Sequence, residues 1–365
     1  MVKYLPDVCK IQYGFPFDSA QFSKNEGMPL IRIRDVVRGY SETFTTEPYK
    51  DEYIVHQGDL LIGMDGEFNI AKWGKTPALL NQRVCRLLPC PEIDKNYLFY
   101  FMPRALKQIE EKTPFVTVKH LSAKELNKIR IPLPPLDEQR RIAATLDKVT
   151  ELIAKRRQQL DKLDELVKAR FVEMFGDPQN NEKNWKMRTF KDICTVRQGL
   201  QIPISKRLTH FEENCYEYIT VAYLHGVKEK EYIKNPKSTV VCTKDDILMT
   251  RTGNTGMVIT NVAGVFHNNF FLIDFDRDKY IKEFLVEYLN LDLIQIELKK
   301  RAGTSTIPDL NHSEFYKIPI YEPSINLQNQ FAIFVNQTEK AKSIIRRSLE
   351  KLETLKKALM QEYFG

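Results

Sequence analysis

The chain repeats itself, and this repetition constrains the fold more than any other feature of the sequence. Residues between about 117 and 176 recur 189 positions later without a gap. The matched residues include Leu121 and Leu310, Lys128-Ile129 and Lys317-Ile318, Pro134 and Pro323, Gln139 and Gln328, Leu163 and Leu352, and Phe175-Gly176 and Phe364-Gly365. A tandem of this kind predicts two similar domains related by an internal pseudo-two-fold.

A weaker repeat precedes each of these copies. Its matched pairs are Gly14 and Gly199 at an offset of 185, and Gly39 and Gly226, Asp59 and Asp246, and Asn81 and Asn268 at an offset of 187. The chain therefore consists of a weakly repeated segment, which we call a variable block, followed by a strongly repeated segment, which we call a fixed block, and then a second copy of each in the same order. Its 365 residues are enough for two or three domains.

Both fixed blocks are predicted to form long helices. The segment Ile131-Pro132-Leu133-Pro134-Pro135 cannot be helix interior, and Asp137 directly after it is placed to act as the N-cap. Apolar residues three and four apart over 137–174 and 326–363 trace a coiled-coil seam. We expect the seam to consist of Leu146, Ile153, Leu160, Leu163, Leu349, Leu352 and Leu355. Antiparallel pairing is favoured because it leaves a variable block at each end; the alternative is two surface helices that pack separately.

The variable blocks are predicted to be compact α+β domains. Their strand-like runs are 30–37, 59–63, 83–88, 216–221, 246–250 and 256–262. A short helix near 96–111 has a counterpart at 280–301. The predicted segments are a first domain at 1–135, a central helix at 136–177, a second domain at 178–323 and a C-terminal helix at 324–365.

The sequence lacks the common motifs of catalysis and cofactor binding. It contains no Gly-x-x-x-x-Gly-Lys-Ser/Thr loop and no Gly-x-Gly-x-x-Gly after a strand. Asn235-Pro236-Lys237 departs from the Asn-Pro-Pro-aromatic strip of amino-methyltransferases. The six cysteines form no Cys-x-x-Cys pair, so we expect buried thiols and no zinc site. Asp65 and Glu67 resemble a nuclease metal pair only weakly, and solvated turn carboxylates are the simpler interpretation.

Charge and hydropathy indicate whether the protein is suited to bind a polyanion or to enter a membrane. The formal net charge is +7, which favours a polyanion without proving one. There is no run of 18 apolar residues and no apolar stretch at the start, so we expect a cytoplasmic protein that does not enter a membrane.

Side chains suited to reading DNA are concentrated in the variable blocks. Arg32 and Arg34 alternate with isoleucines, which predicts that both lie on one face of a strand. Arginine can pair with guanine, and Asn or Gln with adenine, through two hydrogen bonds. The predicted DNA-binding residues are Tyr13, Phe15, Arg32, Arg34, Asn81, Gln82 and Arg83 in the first domain, and Gln201, Arg251, Asn254, Asn268 and Asn269 in the second. The alternative is that they solvate loops and satisfy turn backbones.

In these features the chain resembles the DNA-specificity subunit of type I restriction-modification systems. The resemblance covers the whole chain and rests on three segments: Ile131-Pro132-Leu133-Pro134-Pro135-Leu136-Asp137-Glu138-Gln139-Arg140-Arg141-Ile142-Ala143 before a long helix, Phe175-Gly176-Asp177-Pro178 after it, and Gly58-Asp59-Leu60-Leu61, echoed by Asp245-Asp246-Ile247-Leu248. The second copy departs from the first of these segments, with Ile318-Pro319-Ile320-Tyr321-Glu322-Pro323 at the corresponding place.

The resemblance implies two target-recognition domains separated by an antiparallel coiled coil. Each domain would read one half of an asymmetric, bipartite sequence in double-stranded DNA, and the chain itself would bind no cofactor and catalyse nothing. The implied partners are two modification subunits, which use S-adenosylmethionine and dock on the helices, and, where the system restricts DNA, two restriction subunits that use ATP and Mg²⁺. Two alternatives stay open: a stand-alone nuclease or methyltransferase with degenerate motifs, and a coiled-coil scaffold that binds only protein.

Overall fold

The computed structural model describes residues 1–74, 77–113, 119–224, 226, 229–303 and 308–365. The chain forms two compact units. The first unit is Met1–Arg157 together with Ser348–Gly365, and the second is Gln158–Arg347. Each unit therefore holds one variable block and part of each long helix, whereas the sequence assigned the helices to segments of their own.

The first unit combines short strands with helices. Its strands are β1 (Val2–Tyr4), β2 (Cys9–Tyr13), β3 (Phe22–Ser23), β4 (Met28–Ile31), β5 (Phe44–Thr45), β6 (Ile54–Val55), β7 (Leu60–Gly63), β8 (Ile70–Lys72), β9 (Ala78–Leu80), β10 (Val84–Pro89) and β11 (Arg130–Pro132). Its helices are α1 (Leu5–Val8), α2 (Ile33–Arg38), α3 (Lys95–Lys112), α4 (Ala123–Asn127) and the first part of α5 (Leu136–Phe175).

Three sheets organise the strands of the first unit. An antiparallel sheet has the order β2-β10-β7-β8, a mixed sheet has the order β3-β5-β4-β9-β6 with β4 and β9 parallel, and β1 pairs with β11. In the antiparallel sheet Cys85 at the start of β10 lies opposite Tyr13 at the end of β2. This register places the turn between β9 and β10 beside the residues that follow β2.

The second unit is built in the same way. Its strands are β12 (Lys186–Thr189), β13 (Cys194–Gln198), β14 (Cys215–Ile219), β15 (Tyr232–Lys234), β16 (Val241–Cys242), β17 (Ile247–Thr250), β18 (Val258–Ile259), β19 (Gly264–Phe266), β20 (Phe270–Phe275) and β21 (Pro319–Glu322). Its helices are the remainder of α5, then α6 (Phe190–Ile193), α7 (Val221–Leu224), α8 (Lys282–Asn290), α9 (Asp292–Arg301), α10 (His312–Phe315) and the larger part of α11 (Ile325–Phe364), whose last residues belong to the first unit.

The sheets of the second unit repeat the order found in the first, except that no described strand corresponds to β3. They are β13-β20-β17-β18, β15-β14-β19-β16 with β14 and β19 parallel, and β12-β21. Gln198 lies opposite Phe271, which corresponds to the pairing of Tyr13 with Cys85. The prediction of two similar α/β domains in a tandem repeat is confirmed.

Both predicted long helices are present, and each unit contains an antiparallel contact between them. In the first unit Arg157 Nη2 lies 2.7 Å from Glu353 Oε1. Farther back along α5, Ile142 shares a core with Phe364, which lies farther forward along α11. In the second unit Lys342 Nζ lies 2.5 Å from Asp164 Oδ1, and the rings of Phe171 and Phe331 are 5.4 Å apart. In both units, residue numbers rise along α5 as they fall along α11.

Six of the seven predicted seam residues are buried or half-buried, and one is exposed. Leu146 and Ile153 are buried, and Leu160, Leu163, Leu349 and Leu352 are half-buried. Leu355 instead remains 45% exposed, whereas Lys356, one residue later, is half-buried. Lysine is also present at the seam position of the second unit that corresponds to Ile153: Lys342 is 5% exposed and pairs with Asp164 and Glu339.

A buried glutamine explains why each long helix starts where it does. Gln139 is fully buried; its Nε2 donates to the carbonyls of Pro134 and Glu92, and its Oε1 accepts from Asp94 N. Gln328 makes the same three bonds, to Pro323 O, Lys279 O and Ile281 N. Asp137, predicted as the N-cap, lies instead within the first turn, and its side chain is 98% exposed.

Three predicted strands are shorter than expected, because a helix or a turn follows. The run 30–37 is strand only to Ile31 and continues as α2; the run 216–221 ends at Ile219 before α7; and 256–262 contains only β18. The helix predicted at 280–301 is broken at Leu291 into α8 and α9. The sequence pattern predicted neither the early ends of these strands nor the break between α8 and α9.

Each unit has its own core. In the first, Leu60 and Leu87 of the antiparallel sheet pack with Leu98 of α3 and Leu146 of α5. In the second, Phe171 and Phe331 share a core with Phe271 and Phe284. All six cysteines are free thiols; five are buried, and Cys90 is half-buried. No helix within the described ranges is long and apolar enough to cross a membrane.

Candidate nucleic-acid interface

A surface cavity of about 550 Å³ in the first unit collects most of the predicted DNA-binding residues of that unit. It lies between helix α2 and the β9–β10 turn. Its lining consists of Phe17, Ser19, Phe22, Arg32, Ile33, Arg34, Asn81, Gln82 and Arg83. Five of the seven residues predicted for this domain are therefore brought together, although they come from two separate segments of the chain.

The two arginines reach the cavity from a helix, so the prediction that they alternate along a strand is wrong. Asp35, which is fully buried, accepts a hydrogen bond from the backbone of Arg32 at 2.9 Å and thereby starts α2. The helix ends at Gly39, where a φ of +73° favours glycine. Arg32 and Arg34 both remain exposed, and Arg34 Nε is 3.7 Å from Asp35 Oδ1.

The turn Asn81-Gln82-Arg83 is held by the residues that follow β2. Phe15 N donates to Leu80 O and Gln82 N donates to Phe15 O. Gly14 allows this approach, because a Cβ at that position would lie 2.1 Å from the carbonyl oxygen of Asn81. These main-chain bonds hold the turn and leave the side chains of Gln82 and Arg83 exposed.

Arg83 is fixed by a buried carboxylate. Its Nη1 lies 2.6 Å from Oδ2 of Asp65, while His120 Nδ1 lies 2.5 Å from the other oxygen. Asp65 is 8% exposed, whereas the side chains of Arg83 and His120 are 64% and 61% exposed. The carboxylate considered as half of a nuclease metal pair with Glu67 is thus occupied by two basic side chains.

Two predicted aromatic residues support the cavity instead of lining it. The ring of Phe15 packs 5.0 Å from that of Phe17 and 5.4 Å from that of Tyr53. Tyr13 packs on the core of the antiparallel sheet, and burial raises the pKa of its hydroxyl. The aromatic lining comes from Phe17, which belongs to the aromatic loop 13–17, and from Phe22, which no sequence motif indicated.

The second unit has a loop and a turn in the corresponding place. Leu200 N donates to Phe266 O, and Gly199 allows an equally close approach, since a Cβ there would lie 2.2 Å from His267 O. The hydroxyl of Tyr218 bonds to Leu200 O and Ile202 N and so fixes the loop between them. Gln201 sits at the centre of this loop with an exposed side chain.

The turn His267-Asn268-Asn269 lies beside this loop. His267 is half-buried, and its ring is 5.8 Å from that of Tyr218. Burial, with a further contribution from Arg207, lowers the pKa of His267. Asn268 and Asn269 are half-buried; Oδ1 of Asn268 is buried and has no hydrogen-bond partner within the described part of the chain, so this oxygen is less available to DNA than predicted.

The predicted residues Arg251 and Asn254 belong to the adjoining β17–β18 turn. Arg251 N donates to Asn269 O, which joins the two turns. The guanidinium of Arg251, however, is held by Asp309, with Nε–Oδ1 at 2.8 Å and Nη2–Oδ2 at 2.6 Å. In this conformation the fork of Arg251 is therefore occupied by Asp309. Asn254 keeps an exposed side chain, 3.7 Å from the sulfur of Met257.

The chemistry of both places is that of hydrogen bonding and positive charge. Within the residues that the structure describes, no group of three or more His, Cys, Asp or Glu side chains is placed to hold a metal ion. The exposed groups are guanidinium and carboxamide side chains, which suit phosphate oxygens and base edges.

The sequence matches the family described as "Type I restriction modification DNA specificity domain" over residues 1–165 and again over 182–354. The chain belongs to this family. The two matched stretches correspond to the two copies of the repeat, and each contains one of the turns described above.

Members of the family with curated names include two specificity subunits. The chain is 39% identical to the "Type I restriction enzyme EcoBI specificity subunit" of Escherichia coli over 166 residues, which are 45% of this chain and 35% of that protein. It is 22% identical to the "Type I restriction enzyme MjaVIII specificity subunit" of Methanocaldococcus jannaschii, with 91% of this chain and 87% of that protein aligned. The chain thus matches only about a third of the first relative's length.

Solved structures show the same fold at low sequence identity. The S subunit of a type I restriction-modification system from M. genitalium aligns with a TM-score of 0.66 and 15% identity, over 100% of this chain and 96% of that one. A chain from a structure on complex assembly and conformational transition of a type I restriction-modification system aligns with a TM-score of 0.55 and 17% identity, over 100% and 97%.

Proposed function

We propose that this chain is the DNA specificity subunit of a type I restriction-modification complex. Each recognition domain reads one half of an asymmetric, bipartite sequence in double-stranded DNA. The observation that carries the proposal is the cavity of the first unit, where Arg32, Arg34 and Arg83 surround the carboxamides of Asn81 and Gln82. The second unit presents a turn at the corresponding place with different side chains, as two domains that read different half-sites would.

In this proposal the chain recognises DNA and leaves the chemistry to other chains. Two modification subunits dock on α5 and α11 and supply the S-adenosylmethionine-dependent methyltransferase; where restriction occurs, two restriction subunits use ATP and Mg²⁺. The chain itself binds no cofactor and works in the cytoplasm. Charged groups on the outer faces of the helices, such as Lys155 and Glu151, are exposed and available for docking.

The test is a comparison of adenine methylation in the host with and without this gene. We expect a single bipartite motif to lose methylation when the gene is removed. If every methylated motif persists, or if the modification subunits show the same sequence preference without this chain, the proposal is wrong.

A reconstituted complex of the full chain and its modification subunits distinguishes the remaining possibilities. Methylation by the chain alone would favour an enzyme, whereas a complex that assembles but gains no sequence preference would favour a protein-binding scaffold.

A further inference from the structure

We call Asn81-Gln82-Arg83 and His267-Asn268-Asn269 the recognition turns. The backbone hydrogen bonds beside them show which residues of the two turns are equivalent, and this equivalence differs by one residue from the one that the sequence repeat indicates. Leu80 accepts a hydrogen bond from Phe15, which follows Gly14, and Phe266 accepts one from Leu200, which follows the matching Gly199. Asn81 therefore corresponds to His267 and not to Asn268. The cause is that the second unit has one residue fewer between β17 and the end of β19 than the first has between β7 and the end of β9.

At this shared position, each side chain uses an acceptor atom within its own turn. Oδ1 of Asn81 accepts from Gln82 N at 2.7 Å, and Nδ1 of His267 accepts from Asn269 N at 3.1 Å. A backbone N–H can only donate, so these contacts settle the amide orientation of Asn81 and the tautomer of His267. The carboxamide must turn its Nδ2 outward, and the imidazole must carry its proton on Nε2.

The group left facing out is a hydrogen-bond donor in both units. In the described part of the chain, neither Nδ2 of Asn81 nor Nε2 of His267 has a hydrogen-bond partner, and neither atom is among the buried unsatisfied ones. Asn81 lines the cavity, and His267 is half-buried. Carboxamide and imidazole thus present the same hydrogen-bonding character at the same position.

We propose that this turn position is a donor-only contact to a base edge in both recognition domains. The inference rests on the proposed function and makes it more specific. A donor pairs with N7 or O6 of guanine, N7 of adenine or O4 of thymine, and it is mismatched with the N4 amino group of cytosine. The two-bond pairing of asparagine with adenine needs an amide oxygen and nitrogen that face the same edge. Because Oδ1 of Asn81 faces Gln82 N, the two-bond pairing is not available to Asn81.

The test uses the full chain assembled with its modification subunits and a library of randomised half-sites, read out by methylation. Asn81→Asp keeps the oxygen that accepts from Gln82 N and replaces the outward donor with an acceptor. We expect one position of one half-site to shift toward cytosine, by roughly fivefold to tenfold in relative preference, with the other half-site unchanged.

His267→Asn is the matched variant in the second unit. Asparagine can accept from Asn269 N and still present a donor, so the base preference should be retained, whereas His267→Leu should lose discrimination at one position. If Asn81→Asp selects the same bases as the parent chain, or if His267→Leu retains full discrimination, the donor-only assignment is wrong while the proposed function stands. A parent complex without any base preference would overturn the proposed function itself.

A second measurement does not depend on DNA or on partner subunits. In the full chain labelled with ¹⁵N-histidine, the ring nitrogen shifts of His267 at neutral pH should report a proton on Nε2. His267→Asn identifies the signal. A predominant Nδ1–H tautomer would overturn the inference even if the base-selection variants failed to assemble.

Discussion

Arg251 and Asp309 form a two-bond ion pair, and the first unit has a side-chain pair at neighbouring positions. In the first unit Asp65, two residues after β7, pairs with His120; in the second Arg251, directly after β17, pairs with Asp309, which corresponds to His120. The backbone bond beside each pair is the same, Leu121 N to Met64 O and Leu310 N to Arg251 O. A side-chain pair therefore joins these segments in both units, which gives Arg251 a structural role.

The first prediction concerns that role. Arg251→Lys should lower the free energy of unfolding by about 1 to 2 kcal/mol, because lysine cannot reproduce the two-bond fork. Chemical denaturation of the full chain measures this, with the exposed Arg346→Ala as the control. If Arg251→Lys instead left stability unchanged and altered the base preference of one half-site, Arg251 would be a base-reading residue after all.

The same pair predicts a pH dependence. The hydrogen bond from Arg251 holds the pKa of Asp309 below its ordinary value. The unfolded carboxyl titrates at about 3.9, so the stabilisation is fully present above that pH and is lost as the pH falls through the lowered folded pKa. The difference in denaturation midpoint between the parent and Asp309→Asn should be constant from about pH 5 to 7 and shrink below about pH 4.

Asp278→Asn, in the same unit and exposed, is the control for this experiment. A difference between the parent and Asp309→Asn that grows on acidification would contradict the assigned direction of the pKa change.

The third prediction concerns the buried glutamines at the helix starts. Gln139→Ala leaves Asp94 N and the carbonyls of Glu92 and Pro134 without their partner and should cost about 1 to 3 kcal/mol. Gln328→Ala should cost a similar amount in the second unit. The exposed Gln158→Ala in the same helix α5 should have little effect. Equal denaturation midpoints for Gln139→Ala and Gln158→Ala would show that these bonds contribute nothing.

The fourth prediction separates two arginines of one short helix. Arg32 lines the cavity, whereas Arg38 at the other end of α2 pairs with Glu42. Arg32→Ala should weaken binding of the assembled complex to its target, and Arg38→Ala should not. Binding titrations at several salt concentrations show which kind of contact Arg32 makes. If Arg32 contacts phosphate, its loss should weaken binding equally on specific and random DNA and reduce the slope of log K against log salt concentration by about 1.

The long helices could be predicted from sequence almost to the residue, because a spacing of three and four over 38 residues and flanking prolines leave few other structures. The strand at 30–37 failed for a local reason. Its apolar alternation is that of a strand, but Asp35 caps the backbone of Arg32 and starts a helix. One local hydrogen bond at the start of the helix decided what the pattern left ambiguous.

The sequence could place the candidate DNA-binding residues by type but not by the partners of their side chains. Composition singled out Arg, Asn and Gln in the variable blocks, and the cavity collects five of them. The ion pair of Arg251 with Asp309 could not be predicted from sequence spacing, because these residues are far apart in the chain and are brought together only by the fold. The one-residue shift between Asn81 and His267 likewise depends on a shorter connection, which the repeat of single residues did not reveal.

The glycines at positions 14 and 199 have a consequence for how such proteins diversify. Each recognition turn is positioned by main-chain bonds and by a neighbour without a side chain, while Arg83 and His267 add contacts of their own with Asp65 and Tyr218. A substitution at an exposed turn position such as Gln82 can then change the target sequence while the main-chain bonds that hold the turn stay in place.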